Sequence, residues 1–106
     1  MDELISISNG DEKFKKEMIT IFQKSINKAL DQIDEFCKKQ QWSEASSIAH
    51  KILPSCKHFE ADKLYMNLKY FESLNTELPN IERLNIELEE LKKNIAAVNL
   101  ELQLYL

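Results

Sequence analysis

The chain has 106 residues, 43% apolar and 30% charged, with 14 basic and 18 acidic side chains and a net charge of −4. That length suits a single domain, 1–106, with one core, and the composition is too apolar for disorder and too charged for a bilayer span. One Gly and two Pro leave few residues for all-β turns or Gly-rich phosphate loops, and a lone arginine, Arg83, in an acidic chain argues against a nucleic-acid partner.

Met1 to Ser8 lacks the positive start and apolar stretch of a signal peptide, so a cytoplasmic protein without membrane insertion is expected. Asn9-Gly10-Asp11 is a turn signal, with Asp11 able to cap the first helix. From about Asp11 to Gln40 the residues Phe14, Met18, Ile21, Phe22, Ile26, Ala29, Leu30, Ile33 and Phe36 step by three and four, the period of one helix face. A bend is expected near Ser25–Asn27, where three moderate helix formers meet.

Gln40-Gln41-Trp42-Ser43 reads as a junction, with Ser43 as the candidate cap of a helix from about Glu44 to Phe59. Pro54 interrupts that helix chemically: it has no N–H for the His50 carbonyl, and a kink is expected there. A third helix is expected from about Ala61 to Ser73, with Leu64, Leu68, Phe71 and Leu74 inward. A loop containing Pro79 comes next. The last helix begins near Asn80, and its Ile81, Leu84, Leu88, Leu91, Ile95, Val98, Leu102 and Tyr105 keep heptad spacing. Four helices with short connections predict an all-α fold, an antiparallel up-down four-helix bundle with room for a short or kinked extra segment near the N-terminus.

Few residues in the chain carry chemistry. Cys37 and Cys56 stand 19 apart, match no zinc or redox spacing, and read as reduced core thiols. The two histidines, His50 and His58, are not spaced to share a metal, and no metal site is expected. On a helical wheel Ala45, Ile48, Ala49, Ile52, Cys56 and Phe59 form one arc roughly opposite His50. Ser43, Ser46, Ser47, Pro54 and Lys57 lie beside His50, with Leu53 at the margin. His50 is therefore expected to face solvent, and an accessible neutral imidazole is a competent nucleophile. His58 reads as a histidine near a helix end, where positive charge suits the dipole.

The stretch from Trp42 to Leu64 resembles the histidine-containing phosphotransfer domain of bacterial multi-step phosphorelays. The matching residues are Trp42, Ala49-His50, Ile52, Ser55, Phe59 and Glu60-Ala61, with Asp11, Phe14 and Phe22 upstream. The likeness extends over about Asp11 to Leu74, and the last helix fits by length and pattern. It implies a four-helix bundle in which His50 accepts a phosphoryl group from a receiver-domain aspartate and passes it to another receiver. The chain would be a carrier rather than an enzyme, a monomer without its own cofactor, the divalent ion residing on the receiver.

The family usually has Lys three residues and Gly four residues after its histidine, and this chain has Leu53 and Pro54 there. Lys57, on the His50 side two turns on, and the adjacent Lys51 are the candidates to support the phosphoryl oxygens. Ser43, Ser46, Ser47, Leu53 and Pro54 are the candidate docking residues, with Leu53 and Pro54 as a small apolar anchor. Ser46 or Ser47 could orient the ring, or stay solvated. The competing expectations are a degenerate bundle that only binds proteins, favoured by Leu53 and Pro54, and a coiled-coil assembly through the last helix.

Overall fold

The computed structural model describes residues 12–76 and 78–106, so the expected turn at Asn9–Asp11, the Asp11 cap and any extra N-terminal segment lie outside the described residues. Four α-helices account for most of the rest: α1 (Glu12–Lys38), α2 (Trp42–His58), α3 (Asp62–Glu72) and α4 (Ile81–Gln103). A 3₁₀ turn at Ser73–Asn75 continues from the end of α3, and no strand occurs among the described residues. The fold is all-α, as the composition and periodicity predict.

Each helix contributes one apolar stripe to a common cluster. Ile19, Phe22, Ile26 and Ile33 come from α1; Ala45, Ala49, Ile52 and Cys56 from α2; Leu64, Leu68 and Phe71 from α3; Leu84, Leu91, Ile95 and Leu102 from α4. Removing one such Ile, Leu or Phe side chain from water stabilises the fold by about 1.5–3 kcal/mol, which is how short helices such as α3 hold together. Phe22 and Phe59 stack face to face at 4.2 Å, joining the first half of α1 to the end of α2. Gln23 and Asn27 of α1 meet Asn99 of α4, while Lys15 sits over the Tyr105 ring. Asn67 of α3, itself buried, bonds Glu87 and Asn94 of α4.

Two helix ends close in the same way. Gln40 and Glu60 both adopt φ 57, the left-handed region that normally favours glycine. Around them Gln41 N–H donates to the Phe36 carbonyl and Ala61 N–H to the Cys56 carbonyl, the long bond of a Schellman ending.

Two local expectations are corrected, the start of α2 and the facing of three apolar residues. Helix α2 starts at Trp42, not after Ser43: Gln41 occupies the cap position and makes no side-chain cap bond. Helix α1 runs without a break through Ser25–Asn27, although Ser25 bonds back to the Ile21 carbonyl. Helix α2 likewise runs through Pro54. Packing on both sides of that helix holds the turn, so the missing amide does not end it. Phe14, Ile21 and Ile81 are exposed, whereas Ile19 is fully buried. Ile19 and Ile21 lie about 200° apart on a helix, and the face that meets the other helices is centred on Ile19, Phe22, Ile26 and Ile33. Asn80 is confirmed at the start of α4: its side chain accepts from Arg83 N–H at 3.0 Å.

Candidate functional site

His50 occupies the middle of α2, and its side chain is 76% exposed. The ring is not left to rotate. Its Nδ1 lies 2.6 Å from Oε2 of Glu72, the last residue of α3. The other carboxylate oxygen, Oε1, accepts from Lys69 Nζ at 2.9 Å. These two hydrogen bonds, first to His50 and then to Lys69, hold the Glu72 carboxyl below the usual carboxylate range. The same contact pushes the Lys69 ammonium up.

The tautomer follows from chemistry. An ionised carboxylate can only accept, so at neutral pH the proton between the two groups belongs to Nδ1. A neutral imidazole protonated at Nδ1 carries its lone pair on Nε2, the distal nitrogen. With Nδ1 tied to Glu72 and most of the side chain in water, Nε2 is the atom available to an incoming electrophile.

Ser46 builds the other half of this arrangement. It was expected on the docking face, but it is 4% exposed. Its hydroxyl donates to the Glu72 main-chain carbonyl. It therefore fixes the end of α3 against α2, and the ring is oriented by Glu72 rather than by a serine. Leu53 is corrected in the same direction. It is 6% exposed and belongs to the core, so it cannot anchor a partner. The reason is a rotation of the buried arc: on the wheel Ser46 and Leu53 lie about 40° and 60° to one side of His50, and that is the flank α3 covers.

The remaining candidates are exposed, and Ser43, Ser47, Lys51 and Pro54 divide among three depressions. His50 lines one of about 650 Å³ with Ser46, Ser47, Lys51, Glu72, Ser73, Asn75 and Thr76. Of the two lysines proposed for phosphoryl oxygens, Lys51 lines this depression and Lys57, though exposed, does not. Ser73 and Thr76 donate their hydroxyls to the Tyr70 and Ser73 carbonyls, which leaves Ser47, Lys51 and Asn75 as the lining donors with no such local bond. Ser43 lines a neighbouring depression with Trp42, Leu74 and Leu78. Pro54 lines a third, of about 340 Å³, against Met18, Ile21 and Phe22 of α1. Pro54, one helical turn after His50, is thus the exposed apolar candidate, and it shares its depression with Met18 and Ile21, the latter 64% exposed, and not with Leu53.

The two cysteines offer no reactive thiol. The thiols of Cys37 and Cys56 are buried, and burial pushes them up to about 11 and about 12, far from the thiolate form at neutral pH. No group of three or more His, Cys, Asp or Glu suited to a metal ion occurs among the described residues. No described helix is long and apolar enough to cross a membrane.

Glu72 was absent from the sequence-based candidates. It stands 22 positions after His50, and Lys69-x-x-Glu72 reads locally as an ordinary solvated pair on α3. No spacing rule connects it to the histidine. Comparison with family models, with curated proteins and with solved structures gives no match.

Proposed function

We propose that this chain carries phosphoryl groups on His50, between aspartates of receiver domains in a multi-step phosphorelay. The observation that supports this reading best is the pairing of an exposed imidazole with Glu72 at Nδ1, which leaves Nε2 as the nucleophile. The sequence likeness around Ala49-His50 points the same way.

In the proposed step the Nε2 lone pair attacks phosphorus of the receiver's aspartyl phosphate. The N–P bond forms as the P–O bond to the aspartate breaks, and the carboxylate leaves with that bond's electron pair. The Nδ1 proton stays on the ring, and the Glu72 carboxylate balances the positive charge that the ring gains. Attack by a second receiver's carboxylate reverses these events. Phosphoryl transfer of this kind needs in-line placement and charge neutralisation more than a catalytic apparatus. Lys51, which lines the same depression as His50, is a cation this chain can offer to the phosphoryl oxygens, and the receiver would bring its own divalent ion. Pro54, one turn after His50, offers an apolar contact in a depression shared with Met18 and Ile21, with Ser43 and Ser47 on the polar rim.

Incubation with a phosphorylated receiver domain tests the reading. Acid-labile, base-stable label should appear on the wild type and be absent from His50→Gln. Unlabelled wild type overturns it and supports a bundle that only binds proteins, and equal label on both proteins overturns His50 as the acceptor. Leu53 and Pro54, in place of the usual Lys and Gly, favour that second reading.

A further inference from the structure

The His50–Glu72 contact has a third member that does not touch the ring. Lys69 lies one turn before Glu72 on α3, and its Nζ is 2.9 Å from Oε1, the oxygen that His50 does not use. Lys69 is about half exposed, with 48% of its side chain in water, so it contributes little to the core. A surface pair three residues apart on a helix is ordinarily worth little to stability. Here the same pair acts on a carboxylate with a second task.

A Glu side chain has three rotatable bonds, and an unheld carboxylate at a helix end samples several rotamers. Two contacts on two different oxygens leave it one arrangement: Oε1 toward Lys69, Oε2 toward Nδ1. We infer that Lys69 is a positioning residue for the His50 nucleophile, acting through Glu72 to keep the imidazole in the tautomer whose free lone pair is on Nε2. This rests on the phosphoryl-carrier reading only for its biological use; the tautomer itself is a property of the free protein.

The chain of cause is short. Lys69 holds the Glu72 carboxylate in place and ionised. An ionised carboxylate in that place demands a proton on Nδ1. A proton on Nδ1 of a neutral ring leaves Nε2 unprotonated, ready to attack. Without the ammonium, Glu72 is free to turn to solvent, and the ring relaxes toward the tautomer mixture of an unconstrained imidazole. Arginine at the position would keep the charge and a donor within reach, whereas glutamine would keep most of the bulk and lose the charge.

Long-range ¹H–¹⁵N spectra of the His50 ring read the tautomer directly, and phosphoramidate supplies a phosphoryl donor that needs no partner protein. In that reaction Nε2 attacks phosphorus, the P–N bond breaks and ammonia leaves. The wild type should show the Nδ1–H form at neutral pH. Lys69→Gln should shift the ¹⁵N signals toward the mixture and slow labelling about threefold, with Lys69→Arg restoring most of both. Thermal melting should be nearly unchanged in either variant, which separates positioning from folding. Wild-type ¹⁵N shifts and rates in Lys69→Gln overturn the inference, as does a loss that Lys69→Arg fails to restore. Neither outcome touches the receiver assay, so a failure of this inference and a failure of the carrier reading are told apart.

Discussion

His50 and His58 share one helix and lie eight residues apart, yet the fold treats them oppositely. His50 is mostly in water, with one ring nitrogen held by Glu72 and the other without a hydrogen-bond partner among the described residues. His58 is half-buried at the end of α2, its ring edge-on to Phe59 at 5.2 Å and its Nε2 buried with no hydrogen-bond partner among the described residues. Exposure alone does not make a histidine a nucleophile, and burial alone does not make it structural. What separates them is a defined tautomer with an open path to the lone pair. His50 has both, and His58 has its Nε2 closed off against the groove between α1 and α2.

Exchanging the residues gives the largest expected effect. His50→Gln should abolish acid-labile labelling by a phosphorylated receiver, while His58→Gln should retain it. Labelling that vanishes with His58 instead would reverse the comparison.

Glu72 is the next lever, because it is the feature His58 lacks. Glu72→Ala should slow phosphoryl uptake by about tenfold, the low end of what losing an orienting partner costs a ligating or reacting histidine. The same residue carries a pH signature. Its carboxyl titrates below its unfolded value, so the stability it contributes is present above the ordinary carboxylate pKa and fades as pH falls through the lowered folded value. The Glu72 side-chain carbonyl resonance should titrate below the usual carboxylate range in the wild type. It should move back up in His50→Gln, since His50 is the larger cause of the shift. An unchanged midpoint in that variant would mean the contact is not formed in solution.

Leu53 tests which flank of α2 meets protein and which meets partner. As a core side chain, Leu53→Ala should lower stability by about 2–5 kcal/mol in denaturant titration. Pro54→Ala should change receiver affinity more than stability. A mild effect of Leu53→Ala on folding with a strong one on receiver binding would restore Leu53 to the docking face.

The smallest effect is expected at Glu60, two residues past His58. Its left-handed backbone strains a non-glycine residue by roughly 1–2 kcal/mol, part of which the entropy of glycine offsets. Glu60→Gly should therefore raise stability by about 0.5 kcal/mol and leave His50 labelling as it was. A loss of stability on that change would show that the Glu60 side chain contributes more than its backbone costs.

Much of the fold was legible in the residues because helix periodicity is local. Leu64, Leu68, Phe71 and Leu74 all turn out buried, as their spacing predicts, and Asn80 opens α4 where the loop pattern ends. The exposure of His50 was legible for the same reason. Ile81 misled because it lies on the solvent side of the first turn of α4, whose buried contact is Leu84, and Ile21 because two apolar stripes coexist on α1 and only the one through Ile19 meets the core. Ser46 and Leu53 misled because the wheel gives angles between residues but not the direction from which a neighbouring helix approaches.

By itself, then, the order of residues determined the four helices, most of the buried face of each, and a histidine standing outside that face, since each depends on neighbours three and four positions away. The tertiary structure decided which flank of α2 is covered and brought Glu72 of α3, held by Lys69, to the ring. Those outcomes depend on how one helix is rotated against another. A pairing across 22 residues exists only once both helices are packed, with Ser46 holding the end of α3 in place.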